Sequence, residues 1–136
     1  MSEYETHEYD VIVIGAGGAG LRAAIEAARS GAKTAIICKS LLGKAHTVMA
    51  EGGAAAALGN ADDRDGWKVH FKDTMKGGKY LNNWRMAQIH AQESADRIRE
   101  LEQWGAVFDR TPAGLINQRN FGGHTYPRLA HVADST

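Results

Sequence analysis

Six residues near the amino terminus, Gly15-Ala16-Gly17-Gly18-Ala19-Gly20, constrain this chain more than any others. They follow a continuous β-branched run, Val11-Ile12-Val13-Ile14, and precede an apolar stripe at Leu21, Ala24, Ile25 and Ala28. The run suits a strand buried on both faces of a parallel sheet. The stripe, spaced i, i+3, i+4, i+7, is one face of a helix that Gly31 stops at the C′ position. Thr34-Ala35-Ile36-Ile37 reads as a second buried strand. The product is a β-α-β unit with an expected right-handed crossover.

Within the loop the glycines have separate tasks. Gly15 permits the tight turn out of the strand, Gly17 lets the backbone approach a pyrophosphate, and Gly20 lets the helix pack closely on the sheet. The helix N-terminus offers N–H groups and a partial positive charge to the phosphates. A bare G-x-G-x-x-G also occurs as a plain turn; here its place between a buried strand and an amphipathic helix points to a dinucleotide. A typical NAD site has an acidic residue about 20 positions on, gripping the ribose. Here the second strand ends in Cys38-Lys39-Ser40, with no acid, which argues against an ordinary NAD site. Ser40, the Cys38 backbone and the Lys39 amine are candidate contacts to an adenosine ribose or phosphate. Lys39 reads equally well as a solvated strand-end lysine.

Bulk properties narrow the classes. A chain of 136 residues, 43% hydrophobic and 24% charged, can build a real core and is not disordered. Basic and acidic residues balance at 16 each, and no dense basic cluster suggests nucleic acid. The longest apolar run is too short to cross a bilayer, and the acidic Met1-Ser2-Glu3-Tyr4-Glu5 does not read as a signal or transit peptide. Cys38 is the sole cysteine, which rules out an internal disulfide and a C-x-x-C motif; a reducing cytoplasm fits. A buried thiol at a strand end is its plain reading.

A second phrase follows about thirty residues on: Lys44, then Ala45-His46-Thr47-Val48-Met49-Ala50-Glu51-Gly52-Gly53. An imidazole nitrogen is a competent nucleophile near neutral pH, because histidine's ordinary pKa lies close by. Farther along, a short helix is expected from Asp65 to Met75, ending at Gly77-Gly78. A longer one is expected from about Asn83 to Trp104, with Ala87, Ala91, Ser94, Ile98 and Leu101 as its stripe and Gly105 as its stop. Residues 106–109 and 115–118 read as a β-hairpin turned by Pro112 and Gly114. Gln118-Arg119-Asn120-Phe121-Gly122-Gly123 follows.

These phrases together resemble the flavoprotein subunit of succinate dehydrogenases and fumarate reductases. That family's S-H-[ST]-V-x-A-[QE]-G-G aligns with residues 45–53, with Ala45 in place of serine. Arg128, Asp134 and Thr136 fall on its R-[ST]-x-x-x-x-D-x-T. The resemblance implies an α/β fold: a Rossmann-like FAD-binding domain with a parallel sheet core, plus helices and a β-hairpin. Residues 1–60 would form the β-α-β unit and histidine loop, and residues 61–136 the helices, hairpin and F-G-G segment. It implies FAD joined covalently to His46 through the flavin 8α-methyl carbon. The implied cofactor contacts are Gly15, Ala16, Gly17, Gly18, Ala19, Gly20, Cys38, Lys39, Ser40, Lys44, Ala45, Thr47, Glu51, Gly52 and Gly53. Gly52 and Gly53 would present N–H groups to the isoalloxazine. Phe121, with Gly52, would shape the dicarboxylate side; otherwise Phe121 is a core aromatic beside a glycine bend.

The implied activity interconverts succinate and fumarate, with electrons leaving to quinone through iron–sulfur and membrane anchor subunits. The expected location is cytoplasmic, peripheral on the inner face of the cell membrane. Family members run to several hundred residues. The expectation is therefore an amino-terminal portion whose partner is the remaining part of the flavoprotein, which carries the capping domain and the catalytic and carboxylate-clamping groups. No catalytic residue is assigned here and no metal site. Two alternatives stand beside this reading: a flavin oxidase of the L-aspartate oxidase type, which lacks the linking histidine, and a non-catalytic dinucleotide-binding module.

Overall fold

The computed structural model describes residues 4–134, so Thr136 lies outside the described residues. The chain divides into two compact units, one running to Ala50 and the other from Glu51 onward.

In the first unit, β1 (Val11–Ile14) and β2 (Thr34–Ile37) pair in parallel, Val11 opposite Thr34 and Ile14 opposite Ile37, with α1 (Gly18–Arg29) between them in sequence. Gly31, at a φ of +85°, ends α1 as expected. The strands are not buried on both faces. Side chains alternate along β1, so the face carrying Ile12 and Ile14 is exposed, Ile14 by 84%. A continuous β-branched run encodes strand, not cover: α1 packs on this pair, and its stripe buries Ala24 while Ile25 and Ala28 stay exposed. Cys38 is likewise exposed, one residue beyond the last paired position, its Sγ 2.8 Å from the Ser40 carbonyl oxygen.

The second unit holds α2 (Trp67–Gly77) and α3 (Trp84–Gln103), which pack together. Asn83 caps α3, its Oδ1 accepting from the N–H groups of Arg85 and Met86 at 3.1 and 3.3 Å. Ala87, Ala91, Ser94 and Ile98 are the buried stripe; Leu101, expected to join them, is exposed on the last turn. The ion pairs Arg97–Glu100 and Arg99–Asp96 are solvated and add little stability.

The expected hairpin is only partly formed. Thr111 N–H donates to the Leu115 carbonyl at 2.8 Å and Arg110 bridges Ile116, so Pro112 and Gly114 do turn the chain. Past the turn the strand changes partner. Gln118–Arg119 (β4) joins β5 (Leu129–Ala130), which also pairs with β3 (Ala54–Ala55), in an antiparallel sheet ordered β3-β5-β4. Two-residue strands have no alternation to read, so this sheet leaves no periodic signature in the sequence. Ala56, Ile98, Phe108, Ile116 and Ala130 form the core beneath it. Buried Gln118 crosses that core: its Nε2 donates to the Ala56 carbonyl at 2.6 Å, and its Oε1 accepts the Asn60 N–H at 2.9 Å.

Candidate functional site

The glycine loop is built as a tight reversal. Gly15 takes a φ of +108°, a left-handed conformation that favours glycine, and its N–H donates to the Ile37 carbonyl at 2.8 Å. At Gly20 a Cβ would lie 1.9 Å from the Gly15 carbonyl oxygen, so only glycine lets α1 sit this close to the loop. Gly17 is the N-cap of α1, and no acidic side chain lies in the first turn to compete with an anion.

The histidine segment folds back over this helix end. Residues His46–Met49 form a single 3-10 turn with Ala45 as N-cap. The Thr47 hydroxyl accepts the Gly18 N–H at 3.0 Å. A Cβ on Gly17 would come within 3.3 Å of that hydroxyl and 3.8 Å of Ala45 Cβ. The Thr47 and Ala45 side chains thus pack directly against the backbone of the glycine loop.

Between them is a cleft of about 300 Å³. Gly15, Ala16 and Gly17 line one side; Cys38, Lys39, Ser40 and Leu41 continue from β2; Lys44, Ala45 and His46 close the other. His46, Lys39 and Lys44 are exposed at its edge. Two lysines and the positive end of a twelve-residue helix give this cleft a positive lining, with an imidazole at its rim. Gly18 and Ala19 are exposed on the first turn of α1.

The remaining candidate residues belong to the second unit. Gly52 and Gly53 have φ values of +96° and +123°. A Cβ on Gly53 would stand 2.6 Å from the Ala130 carbonyl oxygen, so this glycine lets β3 approach β5. The Gly52 N–H donates to the Asp134 carbonyl at 3.0 Å, and its own carbonyl accepts from Arg119 Nε at 2.8 Å and Nη2 at 2.6 Å. Glu51 is exposed. Phe121 is 61% exposed, so it is not a core aromatic; its ring lies tilted against His124, centroids 6.1 Å apart.

Sequence reasoning missed the most buried polar group. Arg128 is 0% exposed, and its Nη2 lies 2.8 Å from both Asp65 Oδ1 and Asp73 Oδ2. Asp73 also accepts the Thr125 N–H at 2.8 Å and its hydroxyl at 2.7 Å. Burial pushes the Asp65 carboxyl above the usual range against the pull of Arg128. Burial opposes the Asp73 charge too, but Thr125 and then Arg128 outweigh it and lower its pKa. Burial, then the Arg128 charge, lowers His70 to about 4, and the same two causes lower His124. The sequence held one signal for this cluster: Arg128 stood in the recognised pattern without a role.

Comparison with known proteins follows the same lines. A family model described as an FAD binding domain matches residues 10–136. The chain belongs to this FAD-binding domain family. It is 47% identical to a chain of the CoM/CoB fumarate reductase of Methanothermobacter marburgensis, over 98% of this chain and 25% of that one. It is 46% identical to the succinate dehydrogenase flavoprotein subunit of Rickettsia felis, over 88% of this chain and 20% of the relative. Among solved structures, the Mycobacterium smegmatis Sdh1 complex matches 96% of this chain at 69% identity with a TM-score of 0.93. Escherichia coli quinol fumarate reductase FrdA matches 94% at 40% identity and 0.86. In each case the chain spans a quarter or less of the relative's length. The fold is therefore that of this FAD-binding domain, a mixed α/β structure with a parallel strand pair.

Proposed function

We propose that this chain is the cofactor-holding portion of a succinate dehydrogenase or fumarate reductase flavoprotein, with FAD bound at the glycine loop and linked to His46. The observation that carries the reading is the shared cleft of the first unit, where glycine loop, strand end and histidine segment meet in a member of the FAD-binding domain family. Its donor set fits an anionic dinucleotide. Gly17 lines the cleft with bare backbone, α1 starts there with its positive end, Lys39 and Lys44 add charge, and Ser40 offers a hydroxyl. When bound, the flavin supplies the redox chemistry that makes or removes a carbon–carbon double bond in a dicarboxylate. His46, exposed at the rim, is the nucleophile that ties it down. On this reading Gly52 and Phe121 lie on the dicarboxylate side, and the doubly held Gly52 carbonyl keeps that backbone from shifting.

Relatives named as succinate dehydrogenase and fumarate reductase subunits support the substrate pair, and the solved Sdh1 complex supports assembly with further subunits, which on this reading are the iron–sulfur and membrane anchor subunits. Among the described residues no helix is long and apolar enough to cross a membrane; on this reading those partners would hold the chain at the inner face of the cell membrane. The test is turnover by the flavoprotein complex carrying this sequence. It is expected to oxidise succinate with a dye acceptor and to be inhibited by malonate, which carries two carboxylates but no bond to desaturate. Use of neither succinate nor fumarate by a flavin-replete complex overturns the substrate assignment and leaves the flavin site standing.

A further inference from the structure

Phe121 is exposed, yet both flanks of its loop are tied down. On one side Arg119 grips the Gly52 carbonyl through two nitrogens. On the other, a tight turn closes with the His124 N–H donating to the Phe121 carbonyl at 3.1 Å, helped by Gly123 at a φ of +87°. The next residue, Thr125, is held through both its N–H and its hydroxyl by the two oxygens of one carboxylate, Asp73. That carboxylate cannot swing away, because the fully buried Arg128 guanidinium holds it from behind and is itself held by Asp65. Asp73 projects from α2, a helix packed along α3, so the whole chain of contacts ends on a rigid support.

We propose that Asp73 is a positioning residue which, acting through Thr125, sets where the Phe121 ring stands beside the substrate. The inference rests on the proposed placement of Phe121 on the dicarboxylate side. Its physical basis is that small displacements of groups around a reacting substrate are costly in rate, whereas exposed loops without such anchors wander. Asp73 fixes the stem on which the ring is carried.

Replacing Asp73 directly would leave Arg128 buried with one partner and risks unfolding the unit. Thr125 is the cleaner handle. In the flavoprotein complex, Thr125→Val keeps the shape and removes the hydroxyl bond to Asp73, and Thr125→Ser restores it. The expected result is a roughly tenfold loss of kcat/KM for succinate in Thr125→Val, recovered in Thr125→Ser, with covalent flavin content unchanged. If Thr125 acts through the ring, Thr125→Val on a Phe121→Ala background should cost nothing further. Equal additional loss on both backgrounds overturns positioning through Phe121. An unchanged Thr125→Val, where Phe121→Ala alone loses activity, overturns the role of Asp73 and leaves the substrate-side reading intact. If Phe121→Ala itself leaves succinate turnover unchanged, the substrate-side reading fails, and the inference with it.

Discussion

Replacing Gly20 by alanine puts a methyl carbon 1.9 Å from the Gly15 carbonyl oxygen and 2.9 Å from its carbon, with Val13 Cγ1 behind at 3.5 Å. An ordinary carbon–oxygen approach is about 3.3 Å or more, so helix and loop must separate by more than about 1 Å. The obstructing atoms are backbone, and no rotamer change relieves them. Overpacking costs about 1–3 kcal/mol, and a backbone obstacle belongs in the upper half of that range. Alanine's better helix propensity returns up to about 1 kcal/mol, leaving a net loss of about 1–2 kcal/mol. Gly18→Ala is the comparison, because its Cβ would meet no backbone atom, only the Thr47 side chain, with Cγ2 at 3.2 Å and Oγ1 at 3.6 Å. Its expected change lies within about 0.5 kcal/mol.

The assay is urea unfolding of the flavoprotein carrying either substitution, together with FAD titration, both on a His46→Ser background where binding is reversible. Where the loop takes up the displacement, a penalty of about 1.4 kcal/mol appears as a tenfold weaker FAD affinity. Gly20→Ala matching Gly18→Ala in both stability and FAD affinity would refute the idea that close packing of α1 shapes the glycine loop.

Asn83→Ala removes the acceptor for two N–H groups at the start of α3 and should cost about 1 kcal/mol by chemical denaturation, with flavin content unchanged. Stability should also fall with pH through His70. Its folded pKa is depressed from 6.5 to about 4, so the unfolded chain takes up the proton first. The stability it confers is complete above pH 6.5 and is lost progressively toward pH 4, by up to about 3 kcal/mol. Arg128 and His90 oppose the charged imidazole, as does His124, which is depressed in the same direction; Asp73 favours it, and Asp65, raised by burial, works the other way as it protonates. Urea midpoints between pH 7 and 4 in wild type and His70→Gln check this, the variant showing the shallower slope; parallel profiles would contradict it.

How much of this was legible in the residues depends on the length of the signal. The β-α-β unit was readable because a β-branched run, a glycine loop and a 3.6-residue stripe each carry their own periodicity, and Gly31 marks the end. Asn83 and Gly105 bracketed α3 for the same reason. The cleft residues were readable because glycine spacing and the histidine phrase are local. What the residues concealed is long-range. The sheet of β3, β5 and β4 is made of two-residue strands drawn from positions 54 to 130, with no pattern to detect. Arg128 meets Asp65 and Asp73 across more than fifty residues, and nothing in the local sequence distinguishes those carboxylates from solvated ones. The exposed faces of β1 and Cys38 were misjudged because a hydrophobic run states what a residue prefers and not what is present to cover it.

Whether His46 carries the flavin can be read from one gel. The flavoprotein complex is denatured, its subunits are separated, and the flavoprotein band is viewed under ultraviolet light. Wild type should give a fluorescent band and His46→Ser a dark one, with the variant still holding FAD before denaturation because the glycine loop is unchanged. A dark wild-type band from a preparation that turns over succinate, or undiminished fluorescence in His46→Ser, would contradict attachment at His46.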